Sequence, residues 1–256
     1  MWRSVRISIL LLILLAAGGS ALLDRFQAAD WGDTLTVGIF PINADGRPAT
    51  SAYLAGLDRQ SFAPLEDFFA REALRYGVPR RAPVQLRLQS EVRELPPRLR
   101  PGSSAPARLW WSMKMRLYAR RHGRGRAGQV RVFVLYHDPG VTSSVPHSSG
   151  LEKGLIGVVY AYAARVAAGP NSVVIAHEIL HTLGATDKYD PVTLQPLYPE
   201  GYAEPERNPR FPQSRAEIMA GRRALSEREA EMPDSLDETR VGAQTAREIH
   251  WSEAAR

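Results

Sequence analysis

An α/β (α+β) fold is predicted: a twisted mixed sheet with helices packed on it, then a small irregular C-terminal part ending in a helix. Three observations predict it. Four apolar, β-branched runs are separated by helix-like segments. The last run leads into a helix that carries two histidines four residues apart. Beyond that helix proline becomes dense, with six between Pro191 and Pro212.

The elements follow in order. Leu35–Ile42 (LTVGIFPI) reads as the first strand, ended by the turn residues Asn43-Ala44-Asp45-Gly46. Helix Phe62–Tyr76 presents Leu65, Phe68, Phe69 and Tyr76 inward and stops at Gly77. Val84–Gln89 alternates as a second strand, and Pro96, Pro97, Pro101 and Gly102 mark a loop. Helix Pro106–Arg121 carries Trp110, Trp111, Met113, Met115, Leu117 and Tyr118 nearly all the way round, more apolar surface than one sheet face covers. Val130–His137 (VRVFVLYH) is the third strand, residues 138–150 a polar loop and Gly154–Tyr162 the fourth strand. A helix from Ser172 to Leu183 is expected next, with Asn171 as its N-cap. The proline-rich stretch after Asp187 reads as a long loop walling a cleft. Ser226 with Glu229, and Ser235 with Glu238, have capping-box spacing, and a last helix is expected over about Ser235–Ile249.

Composition bounds the chemistry. The 256 residues, 44% hydrophobic, suffice for one globular domain of about 230 residues after a leader. Cysteine is absent, which excludes disulfides, a thiol nucleophile and a cysteine-ligated metal. The net charge of +6 comes from scattered arginine, with lysine only at 114, 153 and 188, so no specific nucleic-acid partner is read from it. Arg116, Arg120, Arg121, Arg124 and Arg126 form a local basic cluster. At the N-terminus Arg3 and Arg6 precede the uncharged run Ile7–Leu23, with small Gly19 and Ala21 before Leu22. Residues 1–23 therefore read as a signal peptide cut before Leu22 or as an uncleaved anchor through residues 7–23. Either reading expects export to a bacterial periplasm or the extracellular space, with the N-terminal segment as a membrane tether in the second case. No pro-domain fits between this leader and the first strand.

The chemistry-bearing stretch runs from His177 to Asp187 (HEILHTLGATD). His177 and His181, at i and i+4, share a helix face, where two imidazoles can grip one ion at about 2.0–2.1 Å. Glu178 sits one step round the helix, too far off that face to be a ligand but able to reach a water on the ion. Gly184 reaches positive φ cheaply, so the chain can double back and present Asp187 as a third ligand. Three protein ligands with one open position describe a catalytic zinc site rather than a structural one. With a carboxylate in place of a third imidazole the formal site charge is one unit lower, which should acidify water less and place more weight on Glu178.

This stretch resembles the metzincin zinc-peptidase signature. In most of that clan the third ligand is histidine; with Asp187 there, the motif is similar to the snapalysin variant. Met219, in Glu217-Ile218-Met219-Ala220-Gly221, resembles the methionine turn of the clan. The resemblance implies a zinc endopeptidase with one catalytic Zn2+ on His177, His181 and Asp187, and Glu178 as general base. It further implies one catalytic domain over residues 24–256, with an upper part of about 30–184 and a lower part of about 185–256. Peptide or protein is the expected substrate and a monomer the expected state. It also implies that the strand before the zinc helix is an antiparallel edge, placing Gly157, Val158, Val159, Tyr160, Ala161 and Tyr162 beside an extended substrate. Tyr189, Tyr198 and Tyr202 are candidates to donate a hydroxyl to an oxyanion. His137 and His147 are weaker candidate site residues. Two rivals stand beside this reading. One is a catalytically silent zinc-binding scaffold or binding protein, against which Glu178 argues. The other is a gluzincin-like site with Glu200, Glu204 or Glu217 as third ligand.

Overall fold

The computed structural model describes residues 31–99, 102–123, 128–146, 148–151 and 155–254. The leader, His147, Arg124 and Arg126 lie outside these residues. Strands β1 (Leu35–Asn43), β2 (Val84–Leu88), β3 (Val130–His137), β4 (Ser149–Leu151) and β5 (Ile156–Tyr162) form one sheet in the order β2-β1-β3-β5-β4. All neighbours pair in parallel except β4, which runs antiparallel to β5 at the edge. The fold is thus mixed α/β with a mainly parallel sheet.

The sheet is central because its inner strands are apolar on both faces. On β3, Val132, Val134 and Tyr136 point to one face while Phe133 and Leu135 point to the other. The first face packs against helix α2 (Ala63–Arg75) through Leu65, Phe68 and Phe69, and against helix α4 (Ala168–Thr182) through Val173, Ala176, Ile179 and Leu180. The second face packs against helix α3 (Ala105–His122) through Met115, Tyr118 and Ala119. The sheet therefore stands between α3 and α4. Among the described residues no helix is long and apolar enough to cross a membrane.

Several expectations are corrected. A short helix, α1 (Pro48–Ala55), follows β1; it has no clear apolar stripe and buries only Thr50 and Leu54, so no periodicity marked it. The loop predicted over 138–150 holds β4, too short to be read as a strand. In consequence β5 is not the edge: Ser149, Gly150 and Leu151 pair with Val158, Gly157 and Ile156 on its outer side. Beyond that pairing, the Tyr160 N–H donates to Ser148 Oγ and the Tyr162 N–H to Asn171 Oδ1, while Asn171 Nδ2 donates to the Tyr162 carbonyl. Asn171 seals a strand end and caps no helix; α4 begins earlier, at Ala168, with Pro170 tolerated in its first turn.

The expected C-terminal helix is also broken. Residues 236–238 form one 3-10 turn, which Ser235 caps by accepting from Asp237 N. Short α5 (Ala243–Glu248) and α6 (Trp251–Ala254) follow. Ahead of these two helices β6 (Ala216–Glu217) pairs with β9 (Thr239–Arg240), and β7 (Arg223–Ala224) with β8 (Ala230–Glu231). Ser226 and Glu229 close the β7–β8 turn rather than a helix. The chain's end returns to its start: Trp31 donates from its indole to the Ile249 carbonyl and meets Trp251 edge-on at 5.5 Å.

Candidate metal centre

Helix α4 crosses the sheet with Val173, Ala176, Ile179 and Leu180 buried, so His177 and His181 are left on the side facing the C-terminal segment. Their rings stand edge-on with centroids 4.5 Å apart. The helix ends at Thr182, and Gly184 adopts φ +102°, a value where a Cβ is strained. The Ala185 N–H donates back to the Leu180 carbonyl, and the reversed chain brings Asp187 Oδ1 to 3.1 Å from His181 Nε2 and 3.2 Å from His177 Nε2. Ligand atoms of a tetrahedral ion with bonds of 2.0–2.1 Å are about 3.3 Å apart. Both histidine-to-aspartate spacings are therefore those of ligands sharing one small ion.

The other nitrogen of each ring fixes its tautomer. His177 Nδ1 lies 2.9 Å from the Ile218 carbonyl, and His181 Nδ1 lies 2.8 Å from the Ala185 carbonyl. A carbonyl only accepts, so each Nδ1 carries a proton, and with an ion bound each Nε2 would be left to present its lone pair to the shared point. Burial alone would depress the His177 pKa, but the Asp187 hydrogen bond and the Glu178 charge reverse it and raise it overall. Burial likewise opposes ionisation of Asp187, yet its bonds to both histidines hold it far below the usual carboxylate range.

Glu178 is 4% exposed, and its Oε2 is buried without a hydrogen-bond partner among the described residues. A carboxylate oxygen in that state is costly unless something else comes to it. Burial pushes its pKa up, against the pull of His177 and His181. Gly157 lies beneath it; a Cβ there would stand 3.8 Å from Glu178 Cβ and 3.4 Å from Val132 Cγ2. His177 and Glu178 open onto a cleft of about 530 Å³ lined also by Tyr160, Tyr162, Val173, Val174, Tyr189, Gly221 and Met232.

Met219 is fully buried, next to the Ile218 whose carbonyl meets His177 Nδ1, in a turn that Glu217 holds. Glu217 accepts from the N–H groups of Met219 (2.6 Å), Ala220 (2.9 Å) and Gly242 (3.0 Å) and from the Thr245 hydroxyl (2.7 Å). The Met219 carbonyl in turn accepts from Lys188 N. Glu217 is thus committed to the turn, and Glu204 is committed to Ser214 and Arg207, so neither reaches the histidines. Among the described residues, His177, His181 and Asp187 are the group whose geometry could hold a metal ion.

The tyrosine candidates separate. Tyr189 lines the cleft; burial first, then the Asp187 and Glu178 charges, raise its pKa. Tyr198 and Tyr202 pack on each other at 5.3 Å, with Arg210 over the Tyr198 ring and Phe211 against Tyr202, away from that lining. His137 stacks on Tyr160 at 6.1 Å and does not join the group. Sequence reasoning missed the two carbonyls that orient the histidines, since backbone carries no residue signal. It named Glu217 only as a rival third ligand and missed its role in holding the Met219 turn.

No protein-family model matches the chain, and no curated protein matches it. Among solved structures it is similar to wild-type OgpA from Akkermansia muciniphila, seen in two crystal forms. In one the identity is 10% and the TM-score 0.37, covering 83% of this chain and 58% of that chain. In the other the identity is 11% and the TM-score 0.30, covering 61% of this chain and 49% of that chain. The chain thus spans only about half the length of those structures, and the function below rests on its own site.

Proposed function

We propose that the protein is a zinc-dependent endopeptidase of metzincin type. One observation carries the reading: two histidine Nε2 atoms and one carboxylate oxygen converge beside a buried, unpartnered Glu178 oxygen at the wall of an open cleft. Zinc fits that donor set of two neutral imidazoles and a carboxylate, and when bound it supplies Lewis acidity toward water and a substrate carbonyl.

The residues divide the remaining work. The carbonyls of Ile218 and Ala185 keep the His177 and His181 lone pairs aimed at one point. Glu178 takes the proton of the attacking water and returns it to the leaving amine. Tyr189 supplies a hydroxyl to the developing oxyanion. An extended peptide adds to the outer edge of β4, because β5 is already paired there. The cleft lies between an upper part ending near residue 184 and a lower part from 185. The proposal includes a monomer exported by its N-terminal segment and acting on peptide or protein.

The test is cleavage of a mixed peptide library by the zinc-loaded full chain beside Glu178→Ala at matched zinc content. Cuts that weaken about 10²–10⁴-fold in the variant are expected for a general base. No cuts from either protein, with zinc bound stoichiometrically, would instead assign a binding role.

A further inference from the structure

We infer that the outer face of α3 is a docking surface for an anionic lipid bilayer. Leu109, Trp110, Met113 and Leu117 are 65%, 58%, 49% and 52% exposed. At the helical 100° per residue they fall within an arc of about 100°, opposite the face that Met115, Tyr118 and Ala119 bury against the sheet. The helix is therefore apolar on two opposed sides: one fills the core, and the other is a continuous stripe along roughly two to three turns. Single exposed apolar residues are ordinary, but a stripe of four large ones on one helix is not.

Charge selects the occupant. The helix carries Arg108, Lys114, Arg116, Arg120 and Arg121 and no acidic residue. Lys114 and Arg121 border the stripe on one side and Arg116 on the other, with Arg120 at its C-terminal end. Lys114 Nζ sits 5.5 Å from the Trp110 ring centroid, holding a cation beside the aromatic that a headgroup layer would receive. Glu94, at the last turn, is held by His122 at 3.1 Å. A second copy of the chain would set five cations against five. An anionic bilayer takes the stripe at its headgroup boundary and the flanking cations at its surface, as an interfacial helix does.

Topology suits this placement. The sheet separates α3 from α4, so a bilayer on α3 leaves the helix that carries His177 uncovered. Strands β1 and β3 are parallel, with Val37 beside Val130, so β1 starts at the same end of the sheet as β3, which follows the α3 turn carrying Arg120 and Arg121.

The native chain has no cysteine, so one introduced thiol can be labelled alone. The full chain bearing Met113→Cys, labelled with an environment-sensitive fluorophore, is mixed with vesicles containing phosphatidylglycerol or phosphatidylcholine alone. Leu74→Cys, 75% exposed on α2 across the sheet, is the reference. Because the N-terminal run can insert into either vesicle, the reading is the label's surroundings at each position rather than overall binding. A blue shift at 113 on anionic vesicles, with none at 74, is expected. Lys114→Glu with Arg121→Glu should weaken it roughly 25-fold or more, at about fivefold per lost cation. The inference is overturned if the 113 label stays in water while the chain floats with anionic vesicles, or if both positions shift alike. It is also overturned if the 113 label is already dry without lipid, which would assign the face to a second copy.

Discussion

Asp187 is the residue on which the metal reading turns. Its Oδ1 lies 3.1 Å and 3.2 Å from two histidine nitrogens, whereas Glu204 spends its carboxylate on Ser214 and Arg207. Asp187→Ala is therefore expected to weaken zinc binding by at least ~10-fold, the scale of losing even an outer-shell partner, while Glu204→Ala leaves it unchanged; metal content after dialysis against a zinc buffer checks both. If Glu204→Ala lost the metal instead, the third ligand would have been misassigned. The candidate ligands were legible because side-chain type and spacing carry them: His177 and His181 need only a helix, and Asp187 only a reversal at Gly184. What orients them was not, since the Ile218 carbonyl comes from 41 positions away and belongs to the backbone.

At the scale of elements, the informative piece is β4. Three residues are too few for a period to declare itself, and the sequence reading gave the edge to β5 instead. In an antiparallel ladder alternate residues bond inward and outward, and β5 turns the backbone of Ile156 and Val158 toward β4. The N–H and carbonyl of Gly150 are then directed away from the sheet, where an incoming strand would meet them. Gly150→Pro removes that N–H from an edge position that tolerates proline. It is expected to raise KM for extended peptides with little change in Tm, checked by steady-state kinetics and a thermal melt; an unchanged KM would exclude pairing there. The long strands β1 and β3 were readable because burial on both faces makes them continuous apolar runs. The C-terminal helix was misread because capping-box spacing also occurs in turns, as Ser226 and Glu229 show.

Across the whole molecule, a clamp joins the metal loop to the C-terminus. Lys188, 5% exposed, donates from Nζ to Glu248 Oε2 at 2.7 Å, and Thr186 donates to the same carboxylate through its N–H and hydroxyl at 2.9 Å each. Burial alone would raise the Glu248 pKa, but these donors bring it below its ordinary value. A carboxylate depressed in the folded state stabilises above its unfolded pKa and loses that contribution as pH falls through the folded one. Glu248→Gln is accordingly expected to cost about 1–3 kcal/mol near neutral pH, with the gap from wild type closing below about pH 4. Denaturant titrations across pH would show it, and a gap that widened in acid would refute the clamp. The same long reach sets an order of events. The sheet and both histidines are encoded before residue 182, yet the carbonyl that aims His177 lies at 218 and the carboxylate that holds the Asp187 loop at 248. A chain emerging from synthesis thus carries its sheet and all three candidate ligands before the carbonyl that orients His177 and the carboxylate that fixes the Asp187 loop have been made.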